Sequence, residues 1–240
     1  MSGLIQLVIN LSQDNLTPNW RVSMKNYLGN DGECALGRNI VHPSTIDRLQ
    51  MSFHDVPNDQ YVKNKSRRKD IVRVVNLGGQ VKKGSHGPIF HPVNERFYSN
   101  SIVRFYEEVP DKYFYLIEEI SNIFFDHFLI PAGSEALIQR QRIIAIGPGS
   151  TATTVEGMHR DGVQSLAIFS ITRQNITGGV SYVYSRDGKK IVDAILYPGD
   201  AMFIDDSQCL HGASDIMRID NEWPGYRDIV IATHPACREN

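Results

Sequence analysis

The chain predicts a mainly β protein with flanking helices, its strands forming an antiparallel sandwich or barrel. From residue 137 onward, short runs rich in β-branched and aromatic residues follow one another: ALIQRQRIIAIG, SLAIFSIT, VSYVYS, KIVDAILY, AMFID and RDIVIATH. Turn residues separate them with no helical period between, which argues against alternating strands and helices. One amphipathic helix precedes them, and its apolar face needs a broad partner such as a sheet.

At 240 residues the chain suits one large domain with a well-buried core. We expect a single domain over 1–240, with a mixed N-terminal part (1–136) and a barrel core (137–240). LIQLVIN, at 4–10, is apolar but short and lacks a basic leader, which predicts neither a signal peptide nor a membrane anchor. KNKSRRK at 63–69 is a basic cluster, read as a solvated surface or, alternatively, as a contact for an anionic partner. DIVRVVNLGG is strand-like, and GGQVKKGSHGPIFHP reads as a mobile loop on its Gly and Pro content.

The helix is predicted at about 111–130, in DKYFYLIEEISNIFFDHFLIP. Tyr113, Leu116, Ile117, Ile120, Phe124 and Phe128 fall on one stripe at a 3.6 period. Asp111 is placed to cap it and Pro131 to stop it. Among the strands, TGG (177–179) is one turn signal. The Asp-Gly of RDGK (186–189) suits a two-residue hairpin, and YPGD (197–200) suits a type II turn.

A net charge of −2 gives no reason to expect a nucleic-acid or anionic-membrane partner. Cys34, Cys209 and Cys237 are an odd, scattered set, which reads as reduced thiols in a cytoplasmic protein.

Chemistry concentrates in EGMHRDG, residues 156–162. On an extended strand His159 and Asp161 share a face, with Arg160 directed away. Gly157 and Gly162 would let the backbone bend close to an ion. His211, in QCLHGAS, supplies a second imidazole from a distant strand. Two imidazoles and a carboxylate make a facial triad with open positions, which favours iron over the His-rich tetrahedral sites of zinc. Such a His-x-Asp pair also arises by chance. Cys209 could face the same cavity or be an inert buried thiol. His42, His54, His86, His91, His127 and His234 read as surface or structural residues.

Arg227 heads the last strand, and its same-face partners Ile229, Ile231 and Thr233 form an apolar wall. A buried guanidinium must be paired. It suits a two-pronged grip on a carboxylate, or an internal ion pair with Asp228 or Asp206.

The order EGMHRDG, NITGGVSYVY, PGDAMFIDDSQCLHGAS, GYRDIVIATH resembles the iron- and 2-oxoglutarate-dependent dioxygenases. More narrowly it is similar to the bacterial branch of L-isoleucine 4-hydroxylase-type free amino-acid hydroxylases. The match spans roughly 137–235 and is faint before the helix at 111. The resemblance implies a double-stranded β-helix, a jelly-roll or cupin-like barrel, with Fe(II) on His159, Asp161 and His211. Arg227 would hold the far carboxylate of 2-oxoglutarate. Arg142 would lie near the cofactor or substrate, or else make a surface ion pair. The implied activity is hydroxylation of a small molecule, a free L-amino acid by the narrower resemblance, with O2 as co-substrate and 2-oxoglutarate decarboxylated to succinate and CO2. Asp161 disfavours halogenation, because related halogenases carry a small residue there. The competing class is a non-catalytic, metal-containing jelly-roll module that binds a small molecule. Nucleic-acid demethylation on the same barrel is disfavoured by the near-neutral charge.

Overall fold

The apolar runs pair as strands whose order in space departs from their order in the chain. The computed structural model describes residues 33–91, 102–154 and 157–237. LIQLVIN, Pro92 and Glu156 lie outside the described residues. The strands begin with β1 (Cys34–Gly37), β2 (Arg67–Asn76), β3 (Val81–Lys83), β4 (Ile89–His91) and β5 (Ile102–Arg104). They continue with β6 (Glu135–Ala145), β7 (Ser165–Gln174), β8 (Ile176–Gly178), β9 (Ser181–Ser185) and β10 (Lys190–Ala194). β11 (Ala201–Asp205), β12 (Cys209–Ala213), β13 (Ile216–Arg218) and β14 (Gly225–His234) complete them. Helix α1 (Pro43–Ser52) follows β1, and α2 (Phe114–His127) follows β5.

Seven strands form one antiparallel sheet in the order β1-β11-β7-β14-β6-β2-β3, and a smaller sheet runs β10-β9-β12. These are the two walls of a jelly-roll barrel. Strands β1, β2 and β3 join the large sheet from the N-terminal part of the chain.

Alternation sorts each long strand into two faces. On the outer face Val72, Val74, Ile138, Phe169, Phe203, Val230 and Ala232 pack against Ile46 and Leu49 of α1 and Leu116, Ile117, Ile120 and Phe124 of α2. The predicted helical stripe therefore meets a sheet. Burying each such large side chain contributes about 1.5–3 kcal/mol. The inner face of β2, β6 and β14 turns towards the smaller sheet and carries the polar cavity described below.

Four local expectations differ from the structure. Asp111 lies in a 3-10 turn (Asp111–Tyr113) and does not cap the helix; its carboxylate receives Lys83 Nζ at 2.5 Å. The helix ends at His127, before Pro131, because Leu129 adopts a left-handed φ of 52°. GGQVKKGSHGPIFHP contains β3 and β4, since β3 gains backbone partners from β2 that Gly and Pro content does not reveal. The RDGK hairpin turns through Gly188 N to Ser185 O at 3.0 Å with only Gly188 at positive φ, which is a type I turn followed by a bulge. YPGD makes the expected type II turn: Asp200 N donates to Tyr197 O and Gly199 has φ 92°.

Candidate metal centre

His159 and His211 meet through an isolated antiparallel bridge. His159 N donates to His211 O at 3.0 Å, and His211 N returns a bond to His159 O at 2.9 Å. This contact is close because position 212 is glycine: a Cβ there would stand 2.6 Å from the Tyr182 ring and 2.9 Å from Gly157 O. His159 and Asp161 thus lie on a loop pinned to β12, not on a continuous strand whose alternation would align them. Gly157 and Gly162 both take positive φ, as the bend requires.

Asp206 organises that loop from below. It is fully buried, and its carboxylate accepts from the N–H groups of Asp161 (3.3 Å), Gly162 (2.9 Å) and Val163 (3.1 Å). Its Oδ1 also stands 3.2 Å from His211 Nδ1, off the line of a good hydrogen bond. Arg160 is directed away from the triad, donating to Asp206 O at 2.7 Å.

The ligand-capable atoms of His159, Asp161 and His211 all lie within 4.8 Å of one another. His159 Nε2 is 3.3 Å from Asp161 Oδ1, and His211 Nε2 is 3.9 Å from Oδ2. His159 Nδ1 lies 3.0 Å from Gly157 O. A carbonyl only accepts, so this nitrogen carries the proton and Nε2 presents its lone pair. Burial opposes the charge on Asp161. The imidazoles of His159 and His211 in their protonated forms, His159 then also donating from Nε2, together with the Lys69 ammonium outweigh it and hold the carboxyl far below its usual range. Two imidazole nitrogens and an ionised carboxylate on one wall fit Fe(II) in a facial arrangement.

All three face a cavity of about 160 Å³ between the two sheets. Arg227, Ile229, Ile231 and Thr233 line it together, as the alternation of the last strand predicts. Arg227 is 2% exposed; its Nη2 donates to Ser181 Oγ at 3.0 Å, and its Nε has no partner. Neither proposed internal carboxylate reaches it. Asp228 faces the other side of β14, and Asp206 is committed to the metal loop. Burial, with Arg173 beside it, pushes the Arg227 guanidinium down to about 10. Such a group favours an incoming anion.

Arg142 does not line this cavity. It sits on the outer face, where Nε and Nη2 bind the two oxygens of Asp228 at 2.6 and 2.8 Å and Tyr226 stacks beneath it. Its place near cofactor or substrate is therefore corrected to a buried ion pair, because Asp228 is its register partner on β14. Cys209 is fully buried among apolar side chains, and burial pushes its thiol up to about 12. His127 stacks on Phe203 and His234 bonds Glu135 O, both structural placements.

The basic cluster 63–69 divides. Lys63 and Lys65 are exposed, whereas Arg67 and Lys69 begin β2 and turn into the cavity. A solvated surface describes only its first half, since pairing of β2 with β6 carries the second half inside. Lys69, Ser181 and Asp206 escaped attention as site residues. The signal for Lys69 was its same-face spacing with Ile71 at the start of an apolar strand.

The family model for 2OG-Fe dioxygenases matches residues 50–233, most of the chain. The chain belongs to the 2OG-Fe dioxygenase family. Membership extends well before the helix, where the sequence motifs were faint. It makes the protein an Fe(II)- and 2-oxoglutarate-dependent oxygenase that consumes O2 and acts on a small molecule. Solved structures share the fold of this 2OG-Fe dioxygenase. A bsmA homolog from Methylobium petroleophilum PM1 is 20% identical, covers 84% of this chain and 87% of its own, and has a TM-score of 0.69. IDO from Bacillus thuringiensis is 13% identical over 79% of this chain and 82% of its own, with a TM-score of 0.61. The Fe(II)/α-ketoglutarate-dependent dioxygenase TqaL is 14% identical over 80% and 74%, with a TM-score of 0.56. No curated protein matches the chain by sequence. Among the described residues no helix is long and apolar enough to cross a membrane.

Proposed function

We propose that the protein hydroxylates a free L-amino acid, with Fe(II) held by His159, Asp161 and His211 and the far carboxylate of 2-oxoglutarate held by Arg227 and Ser181. The observation that carries this is one cavity lined by both the clustered triad and a buried guanidinium with an unsatisfied N–H. The similarity of the four ordered motifs to isoleucine 4-hydroxylase-type enzymes supports the substrate class.

Fe(II), when bound, supplies the oxygen activation that couples 2-oxoglutarate decarboxylation to attack on a C–H bond. Each residue has a physical task around it. Gly157 O orients the His159 imidazole through Nδ1, and Asp206 holds the loop that sets Asp161 beside His211. Arg227 fixes one end of the keto acid by a charge-assisted bond that is strong in a dry site. Ile229, Ile231, Leu166 and Ile168 keep water from the cavity wall. The substrate's place against that wall decides which carbon reacts.

The test is anaerobic loading with Fe(II) and 2-oxoglutarate, then exposure to air with each common amino acid. Mass spectrometry should find one amino acid gaining a single oxygen in step with succinate. Succinate without any oxygenated amino acid would end the amino-acid reading.

A further inference from the structure

Among the described residues, Lys69 is a cavity-lining amine that no carboxylate pairs. It is 8% exposed and lines the same cavity as the triad. Among the described residues no carboxylate stands within ion-pair distance of its Nζ, which lies 4.4 Å from the Tyr106 ring centroid. The nearby carboxylate of Asp59 is already held by Arg67 at 2.7 Å. Arg104, stacked over Tyr61, adds further positive charge to this end. Burial, with Arg67 beside it, pushes the ammonium down to about 7, against the pull of Asp59 and Asp161. Burying an ammonium without a counter-charge is costly, so the site favours a ligand that brings one.

Its position separates it from the keto-acid end. Register places Lys69 opposite Gln141 and Ile229, one same-face step from the row that holds Ile143 and Arg227. Two strand spacings put the Lys69 and Arg227 backbones about 10 Å apart across the sheet and about 7 Å along it. Lys69 and Arg227 therefore stand apart in one cavity that the triad also lines. Among the described residues the cavity lining contains one carboxylate, Asp161, which belongs to the triad, and at the Lys69 end the neutral polar groups are Gln139 and Gln141.

We propose that Lys69 anchors the carboxylate of the substrate, so that the enzyme selects its substrate by the acid group more than by the amino group. This rests on reading the cavity as the substrate site. The anchor sets the distance from the acid group to the metal, and hence which carbon faces it.

The test uses the full chain loaded with Fe(II) and 2-oxoglutarate without oxygen. The probes are the common L-amino acids, their carboxamides and their deaminated acids, with binding read by calorimetry. At least one acid should bind, its deaminated form should bind comparably, and its carboxamide roughly tenfold to hundredfold more weakly. Lys69→Met should weaken the acids by a similar factor, leave the carboxamide and 2-oxoglutarate affinities unchanged, and be partly rescued by Lys69→Arg. Unchanged acid binding in Lys69→Met overturns the anchor, as does a loss that falls on 2-oxoglutarate or the absence of binding by every acid. Lys69-dependent binding of deaminated acids, with no amino acid oxygenated in air, removes the amino-acid reading and leaves the anchor standing. An oxygenated amino acid whose KM ignores Lys69→Met does the reverse.

Discussion

Arg140 and Arg142 on one face of the large sheet, and Arg227 and Lys69 on the other, are buried basic groups put to opposite uses. On the helix-covered face Arg140 lies opposite Asp70 on β2 and binds both its oxygens, while Arg142 lies opposite Asp228 on β14 and does the same. On the cavity face Arg227 and Lys69 are as deeply buried, yet neither has a carboxylate partner among the described residues. A paired buried charge is part of the scaffold. An unpaired one beside a cavity is a receptor for an anion supplied from outside.

The sharpest test of the cavity face is Asp161→Ala. It should reduce Fe(II)-dependent succinate formation to background while far-UV circular dichroism stays unchanged; activity equal to wild type would remove the triad. On the other face, Asp70→Ala strands the buried Arg140 guanidinium. It should cost about 3–5 kcal/mol in urea unfolding.

Arg227→Met is the matched experiment on the cavity side. It orphans no carboxylate among the described residues and frees only the Ser181 hydroxyl, so unfolding stability should change by no more than about 1 kcal/mol. It should increase the 2-oxoglutarate needed for half-maximal turnover roughly tenfold to hundredfold. A stability loss as large as that of Asp70→Ala would make Arg227 scaffold and collapse the distinction between the faces.

The smallest effect concerns acid. His127, under the helix layer, is held by burial at about 4 against an ordinary 6.5. Between those values the unfolded chain binds a proton that the folded chain refuses, so stability falls as pH drops from about 6.5 towards 4, by on the order of 2 kcal/mol. His127→Phe should flatten that part of the curve measured by thermal unfolding across pH.

Much of this was legible in one dimension. Period-two alternation in RDIVIATH correctly assigned Ile229, Ile231 and Thr233 to the wall that carries Arg227, because side-chain direction along a strand is a local property. The 3.6 period of the helix foretold its buried stripe for the same reason. Arg142 was harder: its fate depended on which residue the neighbouring strand set opposite it. The basic run at 63–69 failed likewise, since composition marks a solvated surface and cannot show a strand starting within it.

Residue order alone was enough for the alternation, the turn at Tyr197–Asp200, and the His-x-Asp and distant His that form the triad. Which cations are neutralised was settled by the three-dimensional register of β2, β6 and β14. That register brings residue 70 to 140 and 142 to 228 while leaving 69 and 227 facing open space. Direction along a strand is encoded by its own backbone, whereas the identity of a cross-strand neighbour is a contact between residues far apart in the chain.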